Sequence, residues 1–179
     1  TSVEKIAGMW SQLMSRLNYS TYVAHGGDWG GLVSQAMAVQ QPAGLLGIHT
    51  TLPIAAPGAI SANDPRTQEA VTRFAHYQTY DSAYAQQQST RPQTLGYGLA
   101  DSPVGQLAWI IEKYGQWTDC ERNGIRHPEN MISRQVLIDT VMVYWLTNSA
   151  ASASRLYWES FRQPDVSPIS LPTGISEFP

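Results

Sequence analysis

The 179 residues contain a single cysteine, Cys120. One thiol excludes an internal disulfide framework and a four-cysteine zinc site. Charge is also scarce: Asp, Glu, Lys and Arg make up 14% of the chain, against roughly 25% in an average soluble domain. The 11 basic and 14 acidic side chains leave a net charge of -3. The basic footprint with which a nucleic-acid binder neutralises phosphates is therefore missing, and no nucleic-acid partner is expected. No long apolar run is present. The longest stretch free of charged residues, 29–63, is interrupted by Gly, Pro, Gln, Asn and His and does not read as a membrane span. No basic leader precedes an apolar segment, so no signal peptide is expected, and the missing initiator Met reads as a mature or cut segment.

What the chain does have is aromatic surface and turn formers. Six Trp and nine Tyr exclude a disordered chain, and the length suits one large domain or two small ones. Thr1 to Leu17 reads as an amphipathic helix, with Ile6, Met9, Trp10, Leu13, Met14 and Leu17 at spacings of three and four. Thr1 and Glu4 have capping-box spacing. Tyr19 to His25 reads as a strand, Leu32 to Gln41 as a helix closed by Pro42, and Leu45 to His49 as a second strand. Strand, Gly-rich turn, helix and strand form a βαβ unit with parallel strands and a right-handed crossover. Two such strands are too few for a covered parallel sheet, so further sheet partners are expected.

Residues 51–65 read as a loop, with a domain boundary near residue 57. Helices are expected beyond it, over Arg66 to Gln87, Val104 to Tyr114, Glu129 to Leu146 and Ser149 to Phe161. Ser102 is placed to cap the second of these, with Pro103 in its first turn. Ile169 to Ile175 reads as an extended segment, and Pro172 restricts it to a sheet edge or a strand end. The division expected is a core portion over 1–57, a helical cap over 58–167 and a return strand over 168–179.

One turn carries chemistry. Gly26-Gly27-Asp28-Trp29-Gly30 is Gly-x-Asp-x-Gly between a strand and a helix, the layout of a nucleophile elbow with Asp in place of Ser. Such a turn holds its central residue in a strained backbone conformation, and side chains at Gly26 or Gly30 would collide with it. The following helix directs its amide dipoles at the carboxylate, which makes Asp28 a candidate nucleophile. The same five residues also read as a plain turn in which Asp28 only caps the next helix.

The chain resembles the epoxide hydrolases of the microsomal and juvenile-hormone type, in the α/β-hydrolase fold. The resemblance rests on residues 22–30 as the nucleophile segment, with His25 an unusual residue there. It continues through Thr90-Arg91-Pro92-Gln93-Thr94, Ala100-Asp101-Ser102-Pro103-Val104-Gly105, residues 109–114, Tyr144-Trp145-Leu146-Thr147 and Arg155-Leu156-Tyr157-Trp158-Glu159. It ends with the segment 172–179. It implies a partial α/β-hydrolase fold with an inserted helical cap, as the central fragment of a longer enzyme. It also implies that Asp28 attacks an oxirane carbon to form a hydroxyalkyl ester, and that Tyr84 and Tyr157 donate hydrogen bonds to the epoxide oxygen. The main-chain N–H of Trp29 would form half of an oxyanion hole for hydrolysis of that ester. The substrates implied are a lipophilic epoxide and water, with no cofactor and no metal. The family's His base, its acid and its upstream oxyanion loop are expected outside these residues, so association with the missing parts or with a second copy is expected. Such a chain alone would not turn over.

Two other readings stand beside this one. A haloalkane dehalogenase also uses an elbow Asp, with an indole N–H to hold halide, and Trp29 suits that. The chain is otherwise a catalytically silent piece. His25 and His49 read as satisfied structural residues, the four His show no metal spacing, and Cys120 reads as a buried or incidental thiol. Asp101 and Ser102 read as caps. Trp109, Trp117, Trp145 and Trp158 read as core before they read as a pocket lining.

Overall fold

A computed structural model describes residues 1–54, 64–161 and 165–178. The chain divides into two compact units, Thr1–Ala83 with Glu159–Pro179, and Tyr84–Trp158. The boundary expected near residue 57 lies outside the described residues.

In the first unit, helix α1 (Val3–Arg16) is followed by strand β1 (Tyr22–Gly26), helix α2 (Trp29–Gln40) and strand β2 (Leu45–Thr50). Strand β5 (Thr173–Ile175) completes a parallel sheet in the order β1-β2-β5. The βαβ unit is present as expected, and the return segment is its third strand. Pro172 lies just before β5 and costs the ladder nothing there, because its carbonyl accepts from Ile48 N–H at 2.9 Å. α2 covers one face of the sheet and buries Val33, Ala36, Met37 and Ala38 against Leu45 and Ile48. α1 packs on α2.

Several details differ from the sequence expectations. Ser2, not Thr1, caps α1 by accepting from Lys5 N–H. The buried residues of α1 are Val3 and Ala7, while Met9, Trp10 and Leu17 are exposed. Ile6, Leu13 and Met14 of the apolar stripe are half-buried beside them, and Met9 and Trp10 fall outside the covered part. α2 begins at Trp29, three residues earlier than expected, because Asp28 is itself the N-terminal cap. The helix expected over Arg66 to Gln87 is interrupted. α3 (Pro65–His76) passes into a π-helical turn over Tyr77–Asp81, closed by Ser82 N–H on the Tyr77 carbonyl, before α4 (Ala83–Thr90). The wide turn brings the His76 ring to 3.8 Å from Asp81 and 4.9 Å from the Tyr80 ring centroid.

The second unit holds most of α4, then α5 (Pro92–Asp101), α6 (Pro103–Trp117), a hairpin of β3 (Glu121–Arg122) and β4 (Ile125–Arg126), α7 (Arg134–Thr147) and most of α8 (Ala150–Ser160). Ser102 caps α6 as expected, accepting from Gly105 N–H at 3.0 Å. α5 was not anticipated, since Gly96 and Gly98 weaken its helical pattern. Gly96 is needed for packing: a Cβ there would sit 2.6 Å from the methyl of Ala151 on α8. The hairpin was also missed, although Asn123-Gly124, both at positive φ, is a strong two-residue turn signal. α7 starts at Arg134, later than expected, because Ser133 caps it. Glu129 lies in a short 3-10 turn and forms a two-pronged ion pair with Arg134. Trp117 and Trp158 are 51% and 48% exposed and so are not core.

The glycines of the elbow differ in kind. A Cβ on Gly26 would lie 2.1 Å from the Gly30 carbonyl oxygen, and one on Gly31 would lie 2.7 Å from Thr50 Oγ1. Gly30, expected to be equally crowded, has no atom within 4 Å of its Cβ position. Its side-chain direction points away from the strand, and the close approach is made by its backbone. Gly26→Ala is therefore expected to destabilise the protein by at least about 3 kcal/mol in urea unfolding. Gly30→Ala should stay within about 0.5 kcal/mol of wild type. Equal effects of the two would contradict this packing.

Candidate functional site

β1 ends at Gly26 and α2 begins at Trp29, so only Gly27 and Asp28 make the turn. Asp28 has φ 50 and ψ -129, a conformation that side chains other than glycine rarely adopt. Its carbonyl accepts from Gly31 N–H at 2.9 Å, which starts the helix. Its Oδ1 accepts from Trp29 N–H at 2.6 Å, and the side chain is exposed. One carboxylate oxygen is thereby fixed by the main chain, and Oδ2 is left as the atom that can attack an electrophile. Both readings of the turn are realised together, since Asp28 caps α2 and also stands at a strained bend. The Trp29 ring packs edge-on to Phe161 at 6.3 Å.

Beside the elbow the parallel register sets His25 opposite His49 and His49 opposite Gly174. The two Nδ1 atoms are 2.8 Å apart, so one donates and the other accepts. His49 Nε2 is 3.0 Å from Ser176 Oγ. Both imidazoles thus bond within the sheet, as satisfied structural histidines do, although their pairing with each other was not foreseen. Gly174 makes room for it, because a Cβ there would press on the His49 ring at 3.0 Å.

In the second unit, Tyr84 lies in the first turn of α4 and Tyr157 lies on α8. Their rings meet edge to face, with centroids 5.9 Å apart. Trp117 adds a second edge contact to Tyr84 at 5.3 Å. Lys113 Nζ stands 4.7 Å from the Tyr84 ring centroid and 5.7 Å from that of Trp117. Two tyrosines 73 positions apart in sequence are thus brought into one aromatic cluster (84 and 157). Lys113 was missed in the sequence, because a lone Lys on an amphipathic helix carries no signal of its own. Cys120 is buried, with its thiol on the Gly115 carbonyl.

No family model matches the chain. Relatives among curated sequences do. An epoxide hydrolase homologue of Stigmatella aurantiaca (strain DW4/3-1) is 44% identical over 181 residues, covering 99% of this chain and 40% of that protein. The juvenile hormone epoxide hydrolase of Bombyx mori is 36% identical over 177 residues, covering 88% of this chain and 38% of its own length. The solved structure of the Aspergillus niger epoxide hydrolase superposes with a TM-score of 0.82 at 32% identity, over 99% of this chain and 45% of that one. The chain spans about 40% of the length of the curated relatives it matches. Epoxide hydrolase homology extends over nearly the whole chain, and the fold is a partial α/β-hydrolase fold. Among the described residues, no helix is long and apolar enough to cross a membrane.

The hydrogen-bonded His pair generates a test of the sheet beside the elbow. His49→Ala breaks the links to His25 and Ser176 together and is expected to cost about 1–2 kcal/mol of stability. His25→Ala, which breaks one link, should cost less when the two are compared by urea unfolding. The reverse order would contradict the pairing.

Proposed function

We propose that the complete protein, as a homologue of the microsomal and juvenile-hormone epoxide hydrolases, opens an epoxide to a vicinal diol through an ester on Asp28. The observation that carries this reading is the backbone of Asp28. A carboxylate held at φ 50 on a two-residue bend, exposed and with one oxygen fixed by the next amide, suits a nucleophile better than a cap. A cap needs none of that strain.

The chemistry runs in two steps. Asp28 Oδ2 attacks an oxirane carbon from the side opposite the ring oxygen, and that carbon–oxygen bond breaks as the ester bond forms. Tyr84 and Tyr157 hydrogen-bond the departing oxygen, and one of them gives it a proton. An alkoxide is a poor leaving group, so the barrier falls as those O–H donors take up its charge. Water then attacks Cγ of Asp28, and the diol leaves with the ester oxygen. The charge of that second step develops on the carboxyl of Asp28 itself. The Trp29 N–H, already 2.6 Å from Oδ1, is suitably aimed to receive it. The base that activates the water, and the acid that orients it, belong by the family resemblance to segments beyond residue 179. A core over 1–57, a cap over 58–167 and a return strand over 168–179 complete the proposal.

The experiment is Asp28→Ala in the complete protein, assayed for diol formation from styrene oxide. Loss of about 1000-fold or more in kcat/KM is expected for removal of a covalent nucleophile. Asp28→Asn should be as inactive at first, since an amide is a poor nucleophile. Diol formation at the wild-type rate in both variants would overturn the assignment.

A further inference from the structure

The epoxide chemistry gives His25 and His49 no task, although they meet side by side toward the carboxyl ends of β1 and β2. Every residue of this cluster belongs to the first unit. Neutral imidazole is the commonest metal ligand of proteins, and it binds through a bare ring nitrogen. Here the two Nδ1 atoms stand 2.8 Å apart. With ring centroids 4.9 Å apart, the imidazoles meet by their nitrogen edges and do not stack. Two ligands about 2.0 Å from one ion, at about 90° to each other, are separated by about 2.8 Å, the edge of a tetragonal site. The edge of a tetrahedral zinc site is longer, about 3.3 Å. The spacing of the pair thus suits an ion of tetragonal preference.

We propose that His25 and His49 form a two-histidine site for a divalent transition-metal ion, copper(II) before nickel(II), with water completing the coordination. The surroundings supply the outer partner that such a site needs. A metal-binding His gives its other ring nitrogen to a hydrogen-bond partner, which fixes the tautomer and the ring direction. His49 Nε2 has that partner in Ser176 Oγ at 3.0 Å. In the tautomer that donates Nε2–H to Ser176, Nδ1 of His49 is bare and accepts from His25 Nδ1–H. The ion takes the place of that shared hydrogen, which moves to Nε2 of His25, so the pair neither gains nor loses a proton. Gly174 leaves the His49 ring its place, since a Cβ there would lie 3.0 Å from Cδ2. His25 is exposed and His49 half-buried, so water reaches the remaining positions on the ion. Once bound, the ion clamps β1 to β2. It takes no part in opening an epoxide, and the site stands independently of that reading. Magnesium and calcium, which prefer oxygen ligands, are not taken up.

The test is titration of the complete protein with copper(II) chloride alone, in a buffer that does not bind metal, followed by the visible absorption of bound copper. Wild type is expected to take up one copper ion more than His25→Asn or His49→Asn. Ser176→Ala keeps both ligands and loses the outer partner, and it should weaken that ion by about 10-fold. Nickel(II) should bind the same site more tightly than zinc(II), and magnesium(II) should not bind. A second measurement needs no variant and so does not depend on a variant folding. Ascorbate and oxygen oxidise the ligands of bound copper, and peptide masses of wild type should then show added oxygen at His25 and His49 but not at His76 or His127. Equal copper uptake by wild type and both Asn variants, zinc bound more tightly than nickel, or oxidation that spares His25 and His49 would each overturn the site.

Discussion

The contact between Gly26 and the backbone of Gly30 governs this molecule. Strand β1 can turn into helix α2 with only two residues between them because the last strand residue has no side chain. The Gly30 carbonyl occupies the place where a Cβ would stand, 2.1 Å away. That closeness forces the positive φ of Asp28 and presents its carboxylate at the tip of the bend. It also brings α2 directly over the sheet, where Gly31 fits against Thr50 and the apolar residues that follow form the core of the first unit. Fold and chemistry share one cause. The strain at Asp28 is stabilised by the burial of α2 behind it.

The elbow and the aromatic cluster are each held by a different kind of group. The Trp29 amide is available because it is the first donor of a helix, a position where N–H groups lack intrahelical partners. It fixes one oxygen of Asp28 without any side chain being spent on it. In the second unit the tyrosines are held by aromatic edges and by a cation, with Lys113 of α6 touching a ring on α4. Rigid ring packing of this sort sets phenol directions more firmly than a flexible stem could, because a tyrosine side chain has only two torsions to fix.

Much of this was legible in the sequence for a physical reason. Gly26, Asp28 and Gly30 lie within one turn, and turn chemistry is local. The Ser102 cap was legible on the same ground, through the Ser102-Pro103 pair, and the extended segment read over Ile169 to Ile175 contains the third strand. What was illegible depends on tertiary partners. The break of the helix at Tyr77–Asp81 has no Pro or Gly to announce it, and the π turn is instead marked by His76 meeting Asp81. The covered stripe of α1 falls on Val3 and Ala7 because α2 lies there, not because they are its most apolar residues. α5 hid behind two glycines, one of which, Gly96, makes room for Ala151, a residue of the distant helix α8. The pairing of His25 with His49 and the approach of Lys113 to Tyr84 are likewise products of packing. The crowding expected at Gly26 is there, whereas that expected at Gly30 falls on Gly31, a distinction that needs the direction of each Cα–Cβ bond.

The most direct measurement is a single turnover of the complete protein, in excess over epoxide, in water enriched in heavy oxygen. If Asp28 bonds covalently to carbon, the solvent oxygen enters its carboxyl and the diol carries the enzyme's own oxygen. The peptide containing Asp28 then gains mass and the diol does not. Heavy oxygen in the diol, with none at Asp28, would mean that water attacks the epoxide directly and would contradict the account.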